Sequence, residues 1–241
     1  MKIGVTLPQF GDDVEAAIAA ARAAEAGGLD GVFLFDHLWA IGRPERPALT
    51  PFPLLGALGS ETTSVTLGTL VARVGLFADA VLVHHFATLH RMLGDRLVAG
   101  LGTGDSISAP ENIAFGVGYP SIKERRAALA RCCRLLRDLG ITTWVGGASA
   151  GTLDVARRHA DAVNLWDAPP SELRAVKGME VTWGGIVGTE PPAIAALLGE
   201  LRAAGATWAV CAAPHGPEPV VEACRSLEWL GAGNRPLTTP E

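Results

Sequence analysis

Short apolar runs closed by glycine, proline or a charge alternate along this chain with longer runs whose apolar positions recur at helical spacing. The short runs predict strands over 1–8, 29–35, 64–74, 97–102, 141–145, 162–165, 181–187 and 208–212. The longer runs predict helices over 14–26, 78–93, 121–139, 152–160, 193–204 and 218–230, with a short turn or helix over 171–176. Strand and helix alternate from end to end, the pattern of a single α/β domain over 1–241 built as a (β/α)₈ TIM barrel. A doubly wound open sheet has the same alternation. The barrel is preferred because no Gly-x-Gly-x-x-Gly opens the first helix, where the turn is Pro8-Gln9-Phe10-Gly11-Asp12-Asp13. The proline clusters at 43–53, 169–170 and 191–192 read as loops within that domain, because each is short and flanked by a new element.

Composition narrows the function classes. With 49% hydrophobic and 19% charged residues the chain can bury a large core, and its net charge of −5 with scattered Lys and Arg offers no footprint for nucleic acid. No apolar run reaches the length of a membrane span, and the first residues lack the apolar stretch of a signal peptide. Cys132, Cys133, Cys211 and Cys224 have neither zinc nor redox spacing, so they read as packing residues in a reducing cytoplasm. His84, His85 and His90 share one helix, but His85 and His90 are not three or four residues apart, so no metal site is expected.

In a barrel, the C-terminal ends of the strands carry the chemistry. That rule brings Phe10, Asp36-His37, Leu70 to Arg73, Gly102-Thr103-Gly104-Asp105, Gly146-Gly147-Ala148-Ser149, Trp166-Asp167 and His215 to one mouth. Gly102 and Gly104 lack a Cβ and leave room for a flat ligand, with the acid of Asp105 beside them. Imidazole as a group titrates near neutrality, so His37 is the candidate for proton transfer if Asp36 or another carboxylate fixes its tautomer; capping the strand by a bond to a carbonyl is the competing role. Arg73 is expected to pair with Asp79, holding an anionic substrate being the alternative. Trp39, Trp144 and Trp166 are read as barrel packing or pocket lining, and Glu111-Asn112 as capping a helix after Pro110, contact with a cofactor being the alternative.

The order of these motifs resembles the bacterial luciferase-like family of flavin- and F420-dependent oxidoreductases. The resemblance rests on Asp36-His37-Leu38, Leu67-Gly68-Thr69-Leu70-Val71, Ala87-Thr88-Leu89 through Asp95-Arg96-Leu97, Gly102-Thr103-Gly104-Asp105 and Ala114-Phe115-Gly116. Trp144-Val145-Gly146-Gly147-Ala148-Ser149, followed by Ala156 to Ala162, is similar to that family's phosphate loop. It covers residues 1–166 well and the remainder loosely.

The resemblance implies a cofactor ring held at the mouth by Asp36, Leu70, Val71, Gly102, Thr103 and Gly104, with a non-proline cis peptide at Leu70-Val71. It implies a cofactor phosphate over Gly146, Gly147, Ala148 and Ser149 at a helix N-terminus, where free N–H groups and the dipole favour an anion; Ser149 as a simple N-cap is the plainer reading. By likeness to the family's F420-using sugar-phosphate dehydrogenases, His37 and Asp105 are the catalytic pair, although Asp105 is one methylene shorter than the Glu of those enzymes. The implied activity is hydride transfer between F420, or FMN, and a small organic substrate. A luciferase-like FMN monooxygenase using reduced flavin and O₂, fed by a flavin reductase, and a non-catalytic flavin-binding barrel are the alternatives. High Ala, Gly and Arg with little Lys fits organisms in which F420 is available. A homodimer is expected from family likeness and Ala-rich helices. Only Asp138-Leu139-Gly140 stands where relatives carry a long insertion, which predicts an open, shallow pocket.

Overall fold

A computed structural model describes residues 1–227 of the chain. In chain order the elements are β1 (Lys2–Thr6), α1 (Val14–Ala26), β2 (Gly31–Leu34), β3 (Trp39–Ala40), β4 (Arg43–Pro47), α2 (Pro51–Glu61), β5 (Thr66–Thr69), β6 (Ala72–Arg73), α3 (Asp79–Leu93), β7 (Leu97–Gly102), α4 (Ser108–Ala114), α5 (Ile122–Asp138), β8 (Thr142–Gly146), α6 (Ala150–His159), β9 (Ala162–Trp166), α7 (Pro170–Ala175), β10 (Glu180–Ile186), α8 (Pro191–Ala203), β11 (Trp208–Ala212) and α9 (Glu218–Ser226). The expected continuation of the last helix to 230 lies outside the described residues.

The parallel sheet runs β5-β2-β1-β11-β10-β9-β8-β7, and β5 pairs with β7, so it closes. β6 continues β5 beyond Leu70-Val71, whose peptide is cis, and pairs with β7. Counting β5 and β6 as one broken strand gives eight, each followed by at least one helix, and the expected (β/α)₈ barrel is the fold.

The inside of the barrel is filled chiefly by rings. Phe33 from β2 stacks on Trp144 from β8 with centroids 5.3 Å apart, and Trp208 from β11 meets both edge-on. Phe33, Trp144 and Trp208 form an inner cluster with Leu70, Val98, Ala162 and Val210. Around these rings small residues are obligatory: a Cβ on Gly68 would stand 2.9 Å from the Phe33 ring. A second, larger cluster lies between the strands and the helices and includes the four cysteines, all buried and unpaired by disulfide. Burial pushes the thiols of Cys132, Cys133 and Cys224 up to about 12, so they serve as packing groups.

The proline clusters and the stretch 64–74 depart from expectation: Pro170 opens α7 and Pro191-Pro192 open α8, where loops are expected. Residues 43–53 do not form a simple loop: β3 and β4 make an antiparallel hairpin, and α2 begins at Pro51. Prolines are tolerated there because the first helical turn needs no internal N–H donors. Gly59 lets α2 lie against α3, since a Cβ there would fall 2.3 Å from Leu93 Cδ2. The second departure is the break of 64–74 into β5 and β6. Among the described residues no helix is long and apolar enough to cross a membrane, and no cluster of His, Cys, Asp and Glu could hold a metal.

Candidate active site at the barrel mouth

Glu111 organises the mouth. Its side chain is almost fully buried on α4, and it collects four donors. Oε2 accepts from His37 Nδ1 at 2.9 Å and lies 3.0 Å from Arg73 Nη1; Oε1 accepts from the backbone N–H of Leu38 and, at 3.2 Å, of Trp39. Burial works to raise the carboxyl's pKa, and the bonds from His37 and Leu38 with the Arg73 charge outweigh it, so Glu111 is held below the ordinary carboxylate range. An ionised Glu111 assigns the proton of neutral His37 to Nδ1. Nε2 then carries the lone pair, and it has no hydrogen-bond partner among the described residues.

Asp36 is buried beside this pair. Its Oδ2 accepts from the Arg73 backbone N–H at 2.8 Å, and its carbonyl accepts from Arg73 Nε at 2.7 Å, tying the end of β2 to β6. Burial raises the Asp36 carboxyl to about 6, against the lowering effects of Arg73 and His37. Arg73 therefore does not pair with Asp79, which bonds Arg131 instead. It is 4% exposed and is shared by Asp36, Glu111 and Asn112, with Nη2 buried and unpartnered. Strand direction is the reason: residue 73 faces the mouth, toward the loop after β2, while Asp79 begins the next helix.

Phe35 and Phe10 frame the imidazole. Gln9, fully buried, donates to the carbonyls of Phe35 and Leu49 and accepts the Phe35 N–H at 2.5 Å, which fixes the end of β2. Phe10 stacks on Phe35 at 5.6 Å and meets His37 edge-on at 6.2 Å; Trp166 meets Phe35 at 5.5 Å. Of the other tryptophans considered, Trp144 is in the inner core, and Trp39 packs on Phe115.

The second group at the mouth is built around Val71. A Cβ on Gly102 would fall 2.4 Å from Val71 Cγ2, and one on Gly146 would fall 2.8 Å from Val71 Cγ1. These glycines thus make a socket for the side chain after the cis peptide, and the space left by the missing Cβ of Gly102 is filled by Val71. Leu70 points among the inner rings. Thr103 and Gly104 offer their carbonyls to Arg125 Nη1, whose guanidinium lies over the Tyr119 ring at 4.1 Å.

Asp105 is exposed and not hydrogen-bonded to His37. Its Oδ1 accepts from the N–H groups of Ile107 and Ser108 and from the Ser108 hydroxyl, so it secures the turn into α4. The acid paired with His37 is Glu111, which sequence reasoning had assigned to helix capping. A signal for it exists: Ser108, Glu111 and Asn112, at helical spacing, are the buried face of α4, whereas Ile107, Ile113 and Phe115 are exposed. A helix with its polar side inward marks a polar site.

The third group lies at the start of α6. Gly147, Ala148 and Ser149 are exposed, and Gly147 adopts φ +127°, a conformation that suits glycine. Ser149 occupies the N-cap position, yet its hydroxyl donates to Thr152 Oγ1 and caps no N–H. Arg126 reaches over from α5, donates to Ser149 Oγ at 3.1 Å and keeps its buried Nε unpartnered. A guanidinium beside an uncapped helix N-terminus offers the charge and the donors that an anion requires.

Known proteins resemble this chain in sequence and in fold. The profile of the luciferase-like monooxygenases matches residues 1–142. An F420-dependent glucose-6-phosphate dehydrogenase of Nakamurella multipartita is 35% identical over 164 residues, covering 67% of this chain and 44% of that protein. One from Intrasporangium calvum is 36% identical over 155 residues, 62% of this chain and 43% of that protein. The match thus spans less than half the length of these curated relatives. Among solved structures, an F420-dependent secondary alcohol dehydrogenase superposes with TM-score 0.80 over 95% of this chain and 99% of that one, at 14% identity. The F420-dependent tetrahydromethanopterin reductase of Methanopyrus kandleri superposes with TM-score 0.67 over 93% and 97%, at 12% identity. These structures share the fold, and the extent of the profile match decides the family: the chain belongs to the luciferase-like monooxygenases.

Proposed function

We propose that this protein is an F420-dependent oxidoreductase that moves a hydride between the cofactor and a small organic substrate. The observation that carries the reading is the imidazole of His37 at the mouth, with Nδ1 committed to buried Glu111 and Nε2 open. The names of the curated relatives, F420-dependent dehydrogenases, support the choice of cofactor.

The residues present fit such a group. The uncapped start of α6 with Arg126 suits its phosphate, and Val71 offers an apolar ledge for a flat ring. When bound, the deazaflavin supplies the carbon that accepts or gives up hydride. The chain's own residues orient and manage the proton. Gly147, Ala148 and Ser149 with Arg126 hold the anion; Leu70 and Val71 support the ring. His37 Nε2 takes the hydroxyl proton of a substrate being oxidised and returns it in the reverse direction. Glu111 fixes the tautomer and balances the imidazolium, and Arg73 with Asp36 holds Glu111 and the His37 loop in register. In this reading Asp105 shapes the mouth through α4 and its own turn. The small-molecule substrate is the main partner, a homodimer the working form, and a reducing cytoplasm the compartment that suits four free, buried thiols.

The description of the family profile favours a second reading, an FMN-dependent monooxygenase supplied with reduced flavin. Titration of the purified protein with F420 and, separately, with FMN, followed by fluorescence quenching, separates the two. Tight F420 binding with weak FMN binding is the expected result. The reverse preference moves the monooxygenase to first place, and binding of neither sinks both.

A further inference from the structure

Among the described residues, one side of the mouth has no Lys or Arg on its loops. The loops that leave β9, β10 and β11 are Asp167-Ala168-Pro169, Val187-Gly188-Thr189-Glu190 and Ala213-Pro214-His215-Gly216-Pro217, without a Lys or Arg. Their charges are acidic, with Glu218 opening α9 and the Asp167 Oδ1 accepting the Ile186 N–H at 3.0 Å. Arg174, the nearest cation downstream of β9, lines a surface hollow with Glu200 and Ala203 near the C-terminal end of α8. Arg73, the cation beside His37, is buried and shared by Asp36, Glu111 and Asn112. Arg43 and Arg46 stand on the exposed hairpin, with Arg46 reaching toward Gly11.

What this half offers instead is apolar and aromatic. Trp166, 41% exposed at the end of β9, meets Phe35; Phe35 stacks on Phe10, and Phe10 meets the His37 ring, so one aromatic wall runs from the open rim to the imidazole. Ile186, at the end of β10, is 66% exposed, and its backbone N–H is held by Asp167 at the end of β9. A phosphate entering between these three loops would meet like charges and no Lys or Arg on them, while a neutral molecule would cover rings that water now touches.

We infer that the site takes a neutral alcohol or carbonyl compound with an apolar or aromatic body, and does not take a phosphorylated sugar. The functional end, a hydroxyl or carbonyl oxygen, meets His37 Nε2, and the body lies along Phe10, Phe35 and Trp166. The inference rests on the oxidoreductase reading for the chemistry at His37, but the ligand class is set by the aromatic wall and by the acidic loops after β9 and β10, which have no Lys or Arg.

The test is a binding experiment on the full chain, with and without F420. Acetophenone, 1-phenylethanol and glucose 6-phosphate are titrated separately, and binding is followed by tryptophan quenching and by saturation-transfer NMR on the ligand. Saturable binding of the two aryl compounds is expected, weakened about tenfold by Trp166→Ala and largely restored by Trp166→Phe, with no saturation by glucose 6-phosphate at millimolar concentration. Ile186→Arg, at an exposed position, is expected to create measurable affinity for glucose 6-phosphate. Saturation of the wild-type protein by glucose 6-phosphate overturns the inference, as does the absence of saturable aryl binding or aryl binding that Trp166→Ala leaves unchanged. If the aryl compounds bind but F420 does not, the oxidoreductase reading fails and the ligand class stands; if F420 binds and glucose 6-phosphate saturates, the ligand class fails alone.

Discussion

Glu111 and His37 lie 74 positions apart in the chain and are joined by a 2.9 Å hydrogen bond from Nδ1 to Oε2. The same Oε2 lies 3.0 Å from Arg73 Nη1, so one buried carboxylate orients the imidazole and neutralises a buried guanidinium. Three barrel units contribute: His37 follows β2, Arg73 ends β6, and Glu111 comes from α4 beyond β7. Their convergence is a product of barrel closure, because the β5–β7 pairing brings the ends of neighbouring strands into one rim.

Replacing Glu111 with Gln tests the pairing. The amide keeps the volume and can accept from one donor, but it removes the charge that faces Nδ1 and Arg73. Turnover is expected to fall on the order of 10²-fold, with cofactor affinity little changed and an altered pH–rate profile. Glu111→Ala is expected to cost about 3–5 kcal/mol of stability as well, because Arg73 is left buried without its carboxylate. An unchanged pH–rate profile in Glu111→Gln would remove Glu111 from proton management and leave it a structural role only.

Asp36 gives a pH dependence of defined sign. Its carboxyl is raised to about 6 by burial, above the ordinary 3.8, so the native state binds a proton more readily than the unfolded chain does. Its contribution to stability is therefore fullest below about 4 and declines as pH rises through about 6. Glu111, held low, acts in the opposite direction: its contribution is present above the ordinary carboxylate range and is lost on acidification. Asp36→Asn should remove the first component, on the order of 3 kcal/mol between the two limits, and make denaturation midpoints rise with pH more steeply than in the wild type. Urea titrations at several pH values measure this; parallel curves for the two proteins would show that Asp36 carries no such linkage.

The alternation of strands and helices was legible because parallel strands buried on both faces leave unbroken apolar runs, and the helices between them are amphipathic. The hairpin and α2 were hidden by proline, which disfavours helix interiors but is accommodated in the first turn, where α2 has it. At the site, His37 and the glycines could be found from strand ends, since the barrel rule needs only local sequence. Glu111 could not be found that way. Its function depends on a contact 74 residues distant, and its neighbourhood reads as an ordinary helix start unless the inward polar face of α4 is noticed. Gly102 illustrates the reverse: its missing Cβ does leave space, but the occupant is Val71, at the break between β5 and β6 beside it.

That socket can be measured. Gly102→Ala would place its Cβ 2.4 Å from Val71 Cγ2, at a position fixed by the strand backbone, and is expected to destabilise the protein by about 1–3 kcal/mol. In a Val71→Ala background the clash is absent, and most of that penalty should disappear. Urea unfolding of the four proteins of this double-mutant cycle gives the coupling between the two positions. Additive losses would mean that Gly102 is required for some reason other than the Val71 side chain.

The start of α6 is best probed at Ala148. Gly147 has φ +127°, so an Asp there would mix backbone strain with charge, whereas Ala148 is exposed and outside that conformation. Ala148→Asp sets a carboxylate among the free N–H groups of the first turn, in the place assigned to the cofactor's phosphate. The helix dipole tolerates this charge, so stability should stay within about 0.5 kcal/mol of the wild type, while cofactor affinity falls about tenfold through repulsion of the phosphate. Arg126→Gln should weaken binding in the same direction without the repulsion, by removing the guanidinium that now bonds Ser149. Titration of each variant with the cofactor, beside a thermal melt, separates affinity from folding. If Ala148→Asp and Arg126→Gln both bind as the wild type does, the phosphate is held elsewhere at the mouth, and Arg126 serves only to pack α5 against α6.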